Sequence, residues 1–324
     1  MYFPFNDSSI RAIGRWAQLD NSMLTTAAGS KLQIAFTGNM ITLHFSLRNN
    51  EPTYPHLWLS VDGGARFEAV LDNYIRVYCE DDGPHLLTVV YKGGQEKTSR
   101  WFAPLVGKVE FTGYDADDSA ILPKFDKKTI EFVGDSITEG VTIDAHYAPV
   151  LPKGQLNRPH QDDSLATYAA VAAKELNLEP FFAGYGAVGA TKSGCGDVPC
   201  AAEMYPFCFD GHLVEYEPCD FVVINHGTND RKNPEIFCEK YMALIDVIVK
   251  HNPNSKIIAM VPFIGAFREE IKEIVKTYNE INKTDIFVVD TKDWIPLEPL
   301  HPNRESHTIA GLKLASVLKE KYNL

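Results

Sequence analysis

Four short motifs follow one another through the last two-thirds of the chain: Gly134-Asp135-Ser136, Gly189 in a glycine-rich turn, Gly227-Thr228-Asn229-Asp230, and His301-Pro302-Asn303. Their residue types suit acyl transfer through a covalent intermediate, which needs a hydroxyl nucleophile, donors for a developing oxyanion and a histidine base. Ser136 supplies the hydroxyl, Asn229 a side-chain amide, Gly189 a backbone N–H and His301 an imidazole.

Each motif also has a plainer reading. Ser136 and Glu139 have capping-box spacing, so the serine can simply start a helix. Asn229 can cap a helix that starts near Pro234. Gly184-Tyr185-Gly186-Ala187-Val188-Gly189 matches the dinucleotide pattern G-x-G-x-x-G. The residues after it, rich in glycine and closed by Pro199, cannot build the crossover helix on which a pyrophosphate rests, so no nicotinamide or flavin cofactor is expected. His301 is one of ten histidines, distinguished by a loop that Pro302 and Asn303 pin just before the last helix; His307 reads as structural.

The elements that must position these residues fall into two regimes. Short alternating runs over 31–36, 40–47, 56–61, 66–71, 74–78, 85–91 and 105–112 have strand periodicity, and Gly38-Asn39, Asp62-Gly63-Gly64, Asp72-Asn73 and Gly93-Gly94 break them as in an all-β sandwich. After the polar stretch Asp115-Ala116-Asp117-Asp118, strands alternate with helices. Strands are expected over 129–133, 180–183, 221–225, 256–261 and 286–289, with helices over 165–176, 234–250 and 308–321. A β-sandwich domain over 1–120 and an α/β domain over 121–324, with a parallel sheet covered on both faces, follow. Ligands bind such sheets beyond the carboxyl ends of their strands. Gly134, Gly184 and Gly227 each follow a predicted strand, and His301 follows the last one.

At 324 residues, 45% hydrophobic and with a formal charge of −12, the chain can build substantial cores but offers no basic surface for nucleic acid or an anionic membrane. Met1-Tyr2-Phe3-Pro4-Phe5-Asn6-Asp7 lacks the features of a signal peptide, and no apolar run reaches membrane-spanning length. The expectation is a soluble cytoplasmic protein, or a secreted one if a signal was removed. The six cysteines contain no C-x-x-C pair and read as free thiols; no metal is expected.

From Lys128 to Tyr322 the chain resembles the SGNH, or GDSL-type, hydrolases, on Gly134-Asp135-Ser136, Gly186-Ala187-Val188-Gly189-Ala190-Thr191, Gly227-Thr228-Asn229-Asp230 and His301-Pro302-Asn303 with His307. The resemblance implies a flavodoxin-like three-layer α/β/α fold and ester hydrolysis. It makes Ser136 the nucleophile and His301 the base, with an oxyanion hole of the Ser136 and Gly189 N–H groups and the Asn229 side chain. The family usually has Asp three residues before its histidine, where this chain has Glu298. Either Glu298 orients His301 or a Ser–His dyad operates, and Asp293 is a further conceivable partner.

A β-rich region before such a domain is similar to carbohydrate esterase family 2, in which a jelly-roll precedes the hydrolase; Gly14-Arg15-Trp16 and Phe36-Thr37-Gly38 also fit. That resemblance implies O-deacetylation of plant polysaccharides such as acetylated xylan or mannan. The alternatives are a lysophospholipase or thioesterase, and a carbohydrate-binding protein with an inert hydrolase domain. Long connections over 141–163 and 190–219 are expected to wall the pocket. Tyr185, Trp294, His146 and Arg158 are candidate substrate contacts, with packing roles as the alternative.

Overall fold

The structure, a computed structural model, describes residues 1–95, 97–145, 158–230 and 233–324. Its first part is built from two six-stranded sheets. In one, Val109–Asp115 lies between Met23–Thr25 and Met40–Phe45, with Ala17–Gln18 and Tyr74–Tyr78 outside them and Tyr2–Pro4 also paired to Val109–Asp115. In the other, Asp118–Ser119, Lys31–Thr37, Pro84–Gly93, His56–Val61 and Phe67–Val70 run in that order, and Ile10–Ile13 pairs with Lys31–Thr37. Their pairings are antiparallel. Alternate residues Leu32, Ile34 and Phe36 share one buried cluster with Ile41, Leu43 and Phe45 of the opposite sheet. This is the inward face that period-two alternation produces when two sheets stack.

The second part centres on five parallel strands in the order Glu179–Gly184, Thr129–Gly134, Phe221–Asn225, Lys256–Met260, Phe287–Val289. A sheet covered on both faces must be apolar at almost every position, and neighbouring residues here feed different cores. Phe132, Val223, Ile258 and Met260 join Tyr168, Leu314 and Leu318 from the helices Tyr168–Glu175 and Arg304–Tyr322. Val133, Val222, Ile224 and Ala259 join Phe237, Tyr241 and Ile271 from Pro234–His251 and Arg268–Asn282. A sheet-rich region therefore precedes a three-layer α/β/α unit. The helix Arg268–Asn282 and the short strands before Lys31 are absent from the sequence expectation. Among the described residues no helix is long and apolar enough to cross a membrane.

Charged side chains buried between the parts join them. Arg15, 1% exposed, donates from Nη2 to Glu131 Oε1 at 3.1 Å and from Nη1 to the carbonyls of Tyr205 and Phe207 at 3.0 and 2.8 Å. Glu131 accepts from Tyr205 Oη at 2.6 Å and from Tyr216 Oη. Arg100 pairs in the same way with buried Glu139. Removing one partner of such a pair strands a charge out of water, which costs about 3–5 kcal/mol, more than the pair itself contributes. Arg15→Ala is therefore expected to lower the urea unfolding midpoint sharply, and adding Glu131→Leu should recover part of the loss.

Candidate active site

The strand Thr129–Gly134 ends against a helix of only four residues, Ser136–Glu139. A Cβ on Gly184, at the end of the neighbouring strand, would lie 2.8 Å from the Glu139 nitrogen, so glycine there lets the helix sit directly on the sheet edge. Asp135, rather than Ser136, is the N-cap: its carboxylate accepts the Ile137 N–H at 2.9 Å. Ser136 becomes the first helical residue, and its N–H, with no acceptor inside the helix, is available to a ligand.

His301 arrives from the loop between Phe287–Val289 and Arg304–Tyr322. Asn303 caps the following helix by accepting the Ser306 N–H at 2.9 Å, and Arg304 donates to Asp144 at 2.9 Å and to Asp163 at 2.9 Å. With the loop so fastened, His301 Nε2 lies 2.9 Å from Ser136 Oγ, across 165 residues of sequence. Ser136 is 6% exposed and His301 half-buried, a partly dry setting in which a hydroxyl–imidazole proton transfer is short and directed.

Asn229 Nδ2 donates to Val188 O at 3.1 Å and to Asp135 Oδ2 at 3.3 Å, which brings the third motif against the first two. Gly189 is there too, but its N–H donates to the Lys192 carbonyl at 2.9 Å. Its lack of a side chain has another cause. Asp230, 4% exposed, accepts from Ala190 N at 3.0 Å, Thr191 N at 2.6 Å and Thr191 Oγ1 at 2.7 Å, and a Cβ on Gly189 would come within 2.7 Å of its carboxylate. Asp230 is thus a positioning residue that sequence reasoning named only as part of a tetrad.

Glu298 and Asp293 are both exposed. Tyr185 is fully buried, its hydroxyl donating to Cys208 O at 3.3 Å and its ring lying under the Arg100 guanidinium, so it packs the boundary between the two parts and meets no substrate. Trp294 is half-buried against the helix core, and its carbonyl accepts from Lys313 Nζ at 3.0 Å. Arg158 is committed to Asp162 at 3.2 Å, while His146 and most of the 141–163 connection lie outside the described residues. His307 is buried and accepts the Tyr168 N–H on Nδ1 at 2.9 Å; burial lowers its pKa to about 3, so it stays neutral. Tyr168 in turn bonds Thr138 at 2.9 Å and Asn225 at 3.0 Å, beneath the helix that carries Ser136.

Residues 132–309, more than half of the chain, match the GDSL-like Lipase/Acylhydrolase family. The chain belongs to that family. The membership places it among carboxylic ester hydrolases. An alignment of 248 positions that covers 67% of the chain shows 26% identity to the cellulase/esterase CelE of Acetivibrio thermocellus, and it spans only 28% of that protein. Three solved structures share the whole architecture. The family two carbohydrate esterase of Cellvibrio japonicus superposes with a TM-score of 0.78 at 17% identity, over 99% of this chain and 97% of that one. The family two carbohydrate esterase of Clostridium thermocellum, in complex with cellohexaose, gives 0.75 at 23% identity over 97% and 99%. The acetyl xylan esterase Est2A of Butyrivibrio proteoclasticus gives 0.77 at 20% identity over 100% and 99%.

Burial dominates the charge state of Asp135 and raises its pKa from 3.8 to about 7, against the bonds from Ile137 and Thr228 that favour the anion. A carboxyl whose folded pKa is raised binds its proton more tightly when native, so its contribution to stability is complete below about pH 4 and is lost as pH rises toward 7. Asp135→Asn keeps an N-cap oxygen and removes the titration. Its urea stability should fall less than that of the parent between pH 4 and pH 7; parallel pH curves would contradict the assignment.

Proposed function

We propose that the protein is a serine esterase that removes short acyl groups, acetyl foremost, from carbohydrate, with oligo- or polysaccharides such as acetylated xylan or mannan as the substrate class. The observation that carries the reading is the 2.9 Å contact between His301 Nε2 and Ser136 Oγ at the edge of the parallel sheet. His301 takes the Ser136 proton as Oγ attacks the ester carbonyl, and then gives that proton to the departing sugar oxygen as its bond to the carbonyl carbon breaks, releasing the free hydroxyl. Water, deprotonated by the same imidazole, cleaves the acyl-enzyme. In this reading the Ser136 N–H meets the developing oxyanion, and the Asn229 amide and the Gly189 N–H join it on exchanging present acceptors, Asp135 or Val188 for the amide and the Lys192 carbonyl for the N–H. With Glu298 exposed, Ser136 and His301 carry the proton transfers in this reading.

The choice of carbohydrate is supported by a fold shared from end to end with esterases described as acting on carbohydrate or acetyl xylan. A net charge of −12 sets the chain against anionic lipid.

Ser136→Ala should lower kcat on an aryl acetate by at least about 10³-fold, and Asn229→Ala by about 10²–10³-fold, with KM little changed. Circular dichroism checks that both fold. Acetate release from acetylated xylan, mannan and pectin, beside aryl esters of rising chain length, tests the substrate. Preference for acetyl on sugar is expected; an octanoate preference would favour a lysophospholipase or thioesterase, and sugar binding without turnover would favour an inert hydrolase domain.

A further inference from the structure

Away from Ser136, two imidazoles and a carboxylate converge from both parts of the molecule. His56 begins the strand His56–Val61, Glu68 lies on the adjoining strand Phe67–Val70, and His160 belongs to the short helix Arg158–Gln161. Each offers one ligand atom, and these atoms lie within 4.8 Å of one another. His56 Nδ1 is 2.5 Å from Glu68 Oε1, and the rings of His56 and His160 meet edge to face at 4.3 Å. Among the described residues this is the one group of three such side chains.

We propose that His56, Glu68 and His160 form a binding site for a zinc-class divalent ion that fastens the 158–163 segment to the β-sandwich. Two neutral nitrogens and one carboxylate oxygen match the donors that zinc takes in three-ligand sites, with water in the fourth place. Calcium and magnesium call for six or more oxygens, which this cluster lacks. Tetrahedral coordination sets ligand atoms about 3.3 Å apart. The widest separation therefore has to close by about 1.5 Å at most, while the 2.5 Å contact of His56 with Glu68 opens by about 0.8 Å, movements within the reach of the half-buried His160 ring and the exposed Glu68.

Lys92 supports the cluster and also limits it. Its ammonium, 2% exposed, donates to Pro159 O at 2.7 Å and His160 O at 3.3 Å and lies 3.1 Å from Glu68 Oε1, so it holds both Glu68 and the backbone that carries His160. Its positive charge opposes a second cation. Affinity must then come from the two imidazoles, which selects transition ions further over calcium or magnesium. The consequence reaches toward the catalytic serine. Asp162 accepts the Thr142 N–H at 2.7 Å and Asp163 donates its N–H to Gly140 O at 3.0 Å, so the segment lies against the turn that leaves the nucleophile helix.

Metal-stripped full-length protein titrated with Zn²⁺ by calorimetry should show one saturable site and a raised unfolding temperature, with Ca²⁺ producing neither. His160→Ala and Glu68→Ala should each weaken Zn²⁺ binding by at least about tenfold, the scale on which even a ligand's supporting partners matter. His301→Ala should retain the site, which separates it from adventitious binding at the catalytic histidine. Circular dichroism verifies each fold, and two independent ligand variants leave a readout should one fail to fold. Absence of saturable Zn²⁺ binding, or unchanged affinity in the folded ligand variants, overturns the proposal.

Discussion

Ser136 stands on a helix of four residues, and a helix that short has no stability of its own: isolated helices under about 12–15 residues are marginal in water. Everything that aims Ser136 must therefore come from outside the helix. The strand-end glycines let it approach the sheet, Asp135 holds its first turn, Tyr168 bonds Thr138 from below, and Arg100 grips Glu139 at its far end. Four separate pieces of chain thus converge on one helical turn.

One of those pieces belongs to the β-sandwich. Arg100 comes from the loop between Pro84–Gly93 and Val109–Asp115, and its backbone N–H also donates to Gly196 O at 3.0 Å, next to the glycine block. Burying a guanidinium is expensive, and an apolar pair of similar volume would often serve stability as well or better. Directionality is what the ion pair adds: a guanidinium and a carboxylate fix the distance and orientation between two elements in a way that greasy contacts do not.

The architecture was largely legible in the sequence because it follows from periodicity. Runs of alternating residues before 115 and continuous apolar runs after 128 are the signatures of one-face and two-face burial. The helix Arg268–Asn282 escaped because its charged residues outnumber its apolar stripe of Ile271, Ile274, Val275 and Tyr278. Strands of two to four residues before Lys31 carry too few positions to show a period. In the site, Ser136, Asn229 and His301 could be read because each follows a strand end, and the topology brings strand ends together. Burial is not local in sequence. The same glycine-rich turn that marked Gly189 gave no sign that Tyr185 points into the boundary between the two parts, or that Asp230 reaches back to bind Ala190 and Thr191. Glu298 rested on its place three residues before His301, where the resembled family usually has Asp, and such a position does not say which way a loop side chain turns.

The Arg15–Glu131 bridge bears on the modularity of the chain. Glu131 lies in the middle of a central strand of the parallel sheet, with its charge answered by an arginine from the first fifteen residues. Cut free of the β-sandwich, the hydrolase half would keep a buried carboxylate without its counter-ion and an open edge where Gly29 now rests on Phe182. Neither half can therefore be exchanged for a counterpart from elsewhere without stranding a buried charge, unless the opposing charge travels with it.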